Sequence, residues 1–176
     1  MLKITASSSL EAKTNPTLNS TKSLAIRGLI IALLAGFLVQ SIGTVFMVLA
    51  TLSYFLMLTG LLLRKKDSKV HARFMLSAIA IDLVIVLILQ LTRDAVGTAV
   101  ELSLSPLQQA HVYASSIATV FYFPVIYFGS KLYRQKSKSQ KTDPKIKKKH
   151  QWVGLTAFVF RTLGFILMFS LIGRHY

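Results

Sequence analysis

Apolar runs over residues 24–63, 74–91, 107–129 and 152–172 leave this chain few ways to fold in water. Of its 176 residues 53% are hydrophobic and only 15% charged, too apolar for a soluble domain of this size. The last three runs are each near the ~20 residues that cross a bilayer, and a backbone in lipid must satisfy its own polar groups, so the spans are expected to be helices. The first run, as one helix of about 40 residues, would reach about 60 Å, twice the core thickness. Gln40-Ser41-Ile42-Gly43 is its polar, glycine-containing interruption. The run therefore divides into 24–39 and 44–63, which predicts an all-α, polytopic membrane bundle of five spans. A four-span bundle with 24–39 lying along the interface is the alternative.

The formal net charge of +15 is concentrated in loops. Arg64, Lys65, Lys66, Lys69 and Arg73 fill one connection and residues 131–149 supply nine more basic residues in another. The connection between them, 92–105, sets one arginine against Asp94 and Glu101. The positive-inside rule then places both basic loops and the N-terminus in the cytoplasm and the C-terminus outside; a prokaryotic-type inner membrane is the expected location. With no basic soluble domain and no aromatics interleaved with the loop charges, the partner is the lipid bilayer rather than nucleic acid. The Ser/Thr-rich residues 1–22 are expected to be a disordered cytoplasmic tail before a single bundle over 23–176. Zero cysteines exclude disulfides, thiolate metal sites and thioether-attached haem.

Two opposite charges interrupt the apolar runs. Asp82 follows His71, and Arg161 follows His150, each by eleven residues, which is about 16.5 Å of helix and within ~20° of whole turns. Each histidine therefore shares a face with its charge. Tyr122, eleven residues after His111 on the span that runs the other way, falls at the same depth as Asp82 and Arg161. Isolated charges at mid-bilayer are costly and pair inward, so Asp82 and Arg161 are expected to form an ion pair. Such a pair would bring His71 and His150 together at the cytoplasmic end. It can also serve only to fix helix register.

Two imidazoles at equal depth on neighbouring helices suit the axial positions of haem b, with Arg73 and Lys147–Lys149 placed for the propionates. Histidine beside basic residues at a helix end is equally an ordinary interfacial feature. Copper is the alternative, with Met75 adding a thioether one turn from His71. His111 and His175 form a second, outer set. Aromatics around Tyr122, in Phe121-Tyr122-Phe123-Pro124, could line a flat pocket beside a proline kink or simply face lipid. Phosphate loops, nucleophile triads and carboxylate dyads are absent from the sequence, which disfavours hydrolysis and phosphoryl transfer.

The order Val70-His71-Ala72-Arg73-Phe74-Met75-Leu76, Gln109-Ala110-His111 and Lys149-His150-Gln151-Trp152-Val153-Gly154 resembles a family of small bacterial membrane proteins. That family is known mainly as a domain of unknown function, some of whose members are linked to haem–copper oxidase assembly. The resemblance, over about residues 44–172, implies a haem or metal role for His71, His111 and His150. Leu91-Thr92-Arg93-Asp94 stands where the family carries a further histidine, for which His175 is the candidate substitute. The layout is also similar, in architecture, to cytochrome b561-type electron carriers.

The sequence thus points to a membrane haem- or metal-binding protein for electron transfer or terminal-oxidase biogenesis, working with another membrane complex. Its cofactor residues would be His71, His150, His111, Arg73 and Tyr122, its metal donors the histidines and Met75, and its ion pair Asp82 and Arg161. The rivals are a cofactor-free accessory subunit of a respiratory or photosynthetic complex, and a proton-coupled or quinone-binding enzyme using Asp82 and Tyr122.

Overall fold

The computed structural model describes residues 16–40, 44–93, 97, 104–138 and 140–169. Its five long helices are α1 (Pro16–Gln40), α2 (Val45–Leu63), α3 (Ser68–Arg93), α4 (Pro106–Ser137) and α5 (Pro144–Met168). All five are long and apolar enough to cross a membrane. The chain is an all-α bundle of five candidate spans, with the 24–63 run folded back on itself at the Gln40–Gly43 interruption.

The helix starts are locally encoded. The Asp67 carboxylate accepts from the Lys69 and Val70 amides at 2.8 and 3.2 Å, capping α3 and setting His71 in its first turn. The Gln108 side chain accepts from the Ser105 amide at 3.2 Å ahead of α4, where Pro106 takes the first position. Asp143 accepts from the Lys145 amide at 2.8 Å and Pro144 opens α5. Pro16 opens α1 as well, so the helix begins before the boundary expected after Lys22, and the Lys66 ammonium donates to the Ser20 hydroxyl at 3.1 Å. Residues 1–15 of the expected tail lie outside the described residues.

Helices α2, α3, α4 and α5 pack in sequence around a ring that closes from α5 back to α2, and α1 lies outside it, chiefly on α2. Successive helices are antiparallel. Gly28 of α1 sits so close to α2 that a Cβ there would run into the Thr59 side chain. Small residues permit such approaches where lipid removes any hydrophobic drive between helices. Hydroxyls inside the spans bond to backbone carbonyls, Thr51 to Met47 at 2.7 Å within its helix and Ser53 to Ala78 at 3.0 Å across α2 and α3. Large apolar side chains such as Phe37, Leu62, Leu76, Val120, Phe123 and Leu155 point outward, as a lipid-facing surface requires.

Two apolar core layers fill the bundle. One, with Leu56, Met57, Ala78, Ile79, Val125 and Ala157, lies toward the end carrying the basic loops; the other joins Val39, Met47, Ala50, Ile85 and Met168 toward the opposite end. Between α2 and α5 the ring of Tyr54 stacks on Phe165 at 4.2 Å, which closes the wider seam between the two hairpins.

Candidate functional site

Between the core layers lies a polar layer contributed by all four ring helices. Arg161 of α5 grips Asp82 of α3 with both faces of its fork, Nε to Oδ2 at 2.7 Å and Nη2 to Oδ1 at 2.8 Å. Nη2 also donates to the Ala50 carbonyl of α2 at 3.0 Å. The Tyr122 hydroxyl of α4 donates to Asp82 Oδ2 at 2.5 Å. Asp82 and Arg161 are 6% and 7% exposed and Tyr122 2%, so the charges neutralise one another out of reach of water. A bidentate arginine–carboxylate pair fixes angle as well as distance, and here it sets the register of α3 against α5. Tyr122 is engaged in this layer, away from the histidines of the basic end.

At the basic end, His71 donates from Nδ1 to the Gly60 carbonyl at 2.7 Å. A carbonyl only accepts, so Nδ1 carries a proton and Nε2 is the ring nitrogen left for another partner. Gly60 is also the place where Met75 arrives: a Cβ on it would lie 3.1 Å from Met75 Sδ. Across the bundle on α5, His150 rests against Gly129 of α4, whose Cβ would come 3.2 Å from His150 Cε1. His150 Nδ1 is buried and makes no hydrogen bond of ordinary geometry to a described residue, although the ring lies within reach of the Val125 backbone. The two imidazoles lie close enough for their charges to act on each other. They belong to helices that face one another across the ring rather than to adjacent ones, which corrects the neighbouring-helix expectation. Arg73, Lys147, Lys148 and Lys149 are exposed at this end.

His111 lies toward the opposite end, apart from that pair. Its Nδ1 donates to the Gly164 carbonyl at 2.8 Å, again leaving Nε2 bare, and it is near enough to Arg161 to sense its charge. Gly164 approaches α4 so closely that a Cβ would fall 2.7 Å from Ser115 Oγ. No group of three His, Cys, Asp or Glu side chains converges as a metal site among the described residues. His175 lies outside them.

The three glycines and the Ala50 carbonyl were not legible as site components. Backbone acceptors have no residue signature, although a glycine in an apolar helix signals a close approach. No family model, curated protein or solved structure matches the chain.

Proposed function

We propose that this chain is a membrane redox-cofactor protein, with haem b held between His71 and His150 at the basic end and a role in electron transfer or terminal-oxidase biogenesis. The observation that carries the reading is the paired state of the two imidazoles. One has its Nδ1 proton pinned on a carbonyl and its Nε2 left for another partner, the other keeps a buried ring nitrogen with no hydrogen bond of ordinary geometry, and a glycine flanks each ring. A buried nitrogen without a well-formed hydrogen bond is uncommon, and a ligand would satisfy it.

These residues fit such a group by donor chemistry. Haem would supply one-electron transfer. The Gly60 carbonyl fixes the orientation of the His71 ring, as partners behind ligating histidines commonly do. Gly60 and Gly129 let Met75 and the His150 ring pack close to the helix backbone, and Arg73 with Lys147 offers cationic partners for carboxylates. Copper is the alternative occupant, because Met75 joins His71 on Gly60 and would add a soft thioether to imidazole. By the positive-inside rule this end faces the cytoplasm of a prokaryotic-type cell. His111, with its own pinned proton, would serve an outer site completed by His175 or by a partner complex.

A cofactor-free accessory subunit is the second reading. It is favoured by the polar layer, whose charged groups are bonded among themselves and ask for no ligand. Visible spectroscopy and metal analysis of the purified protein, repeated on His71→Ala and His150→Ala, separate the readings. Loss of a bound chromophore or metal in each variant is expected, and its retention in both would count against this site.

A further inference from the structure

The outer surface of α5 at the basic end carries a feature that the polar layer and the histidines do not use. A groove between α4 and α5 is lined by Phe128, Lys145, Lys148, Lys149, Trp152 and Val153. Lys145, Lys148, Lys149 and Trp152 follow helical spacing along one stripe. His150 points about 140° round the helix from Lys145 at 100° per residue, so the stripe faces away from the imidazole pair. None of the three ammonium groups has a hydrogen bond or ion pair to a described residue, and no acidic side chain lines the groove. The nearest carboxylate in sequence, Asp143, is turned onto the Lys145 amide at 2.8 Å.

Depth assigns the chemistry. With the Asp82–Arg161 layer as reference, Trp152 lies about 13.5 Å along the helix, and Lys149, Lys148 and Lys145 about 18, 20 and 24 Å. A hydrocarbon half-thickness is about 15 Å, and a half-bilayer with its headgroups about 20–22 Å. The apolar floor therefore sits where acyl chains end, and the three cations sit where phosphates begin. Trp152 is 65% exposed at the boundary, the position tryptophan favours. A water-soluble anion would use the lysines and leave the floor empty. A neutral lipid would use the floor and leave three unpaired cations.

We infer that this groove is a binding site for one anionic phospholipid, its phosphate held by Lys145, Lys148 and Lys149 and the upper part of one acyl chain laid over Phe128, Trp152 and Val153. The inference stands apart from the cofactor reading, since it uses the opposite face of α5.

Trp152 is the only tryptophan, so its fluorescence reports the groove alone. The test is full-length protein in phosphatidylcholine vesicles titrated with a minor fraction of either phosphatidylglycerol or phosphatidylcholine brominated in the upper acyl chain. Each engaged lysine favours an anionic lipid by roughly fivefold, so about fivefold is the least preference that the three-lysine site gives. Brominated phosphatidylglycerol is accordingly expected to quench at a mole fraction at least about fivefold lower than brominated phosphatidylcholine. The preference should vanish in Lys145→Gln/Lys148→Gln/Lys149→Gln, fall by half or more in the single reversal Lys148→Glu, and survive in Lys131→Gln/Lys138→Gln/Lys141→Gln. Equal quenching by the two lipids overturns the site. So does a preference that persists in the groove variants, or one that disappears equally in the control, which would mark a diffuse basic belt.

Discussion

Removing Arg161 alone from its pair with Asp82 should cost far more than removing the charge from both partners. Arg161→Met deletes two bonds to the carboxylate and one to the Ala50 carbonyl, leaving the Asp82 carboxyl buried with only the Tyr122 hydroxyl as partner. One-sided loss of a buried pair costs about 3–5 kcal/mol. Asp82→Asn is milder, about 2–3 kcal/mol, because the amide oxygen still accepts from Tyr122 and Arg161 keeps Ala50. In the double variant no net charge remains in the layer. The chief penalty is then the unpartnered amide N–H, about 1–3 kcal/mol, so the double should be more stable than Arg161→Met alone. Reversible unfolding in mixed micelles, followed by helical circular dichroism, measures all three. A coupling energy of about 2–7 kcal/mol is expected; additivity within about 0.5 kcal/mol would mean that the two side chains do not act as one unit and would refute the layer's role in register.

Other substitutions test the packing and the paired histidines. Gly129→Leu places side-chain atoms where His150 Cε1 already lies 3.2 Å from the Cβ position, so it should abolish cofactor or metal retention at an overpacking cost of about 1–3 kcal/mol, read from the melting and the metal or haem content of the folded variant. Gly28→Val forces a Cβ into Thr59 and should part α1 from α2, at a cost of about 1–3 kcal/mol for overpacking. The chain has no cysteine, so disulfide formation between Gly36→Cys and Val48→Cys reports that separation without background; undiminished cross-linking in the Gly28→Val background would show the contact to be dispensable. Tyr122→Phe removes one bond from the carboxylate and should lower stability by about 1–2 kcal/mol, against no change if the hydroxyl is idle.

What could be read from the sequence was whatever lipid makes conspicuous. A charge inside an apolar run has few excuses, so Asp82 and Arg161 stood out, and their common spacing from His71 and His150 gave a shared depth through helical rise alone. The Gln40–Gly43 interruption divided the first run for the same reason, since α1 ends at Gln40 and α2 starts at Val45. The beginning of α1 at Pro16 was less visible: Ser and Thr are neither strong helix formers nor breakers, and hydropathy marks where a helix enters lipid, not where it starts in water. Adjacency was hidden too. Equal depth of His71 and His150 does not say whether their helices pack side by side or face each other across a ring. The acceptors at Ala50, Gly60 and Gly164 escaped because every residue carries a carbonyl, and only packing selects which one is met.

The most direct test of the proposed role is a reduced-minus-oxidised visible spectrum of the detergent-purified, full-length protein, with metal analysis on the same sample. A sharp b-type α-band, lost in His71→Ala and in His150→Ala, is the expected result. A colourless, metal-free and well-folded protein would contradict it and leave the bundle as a structural or assembly subunit organised by its Asp82–Arg161 layer.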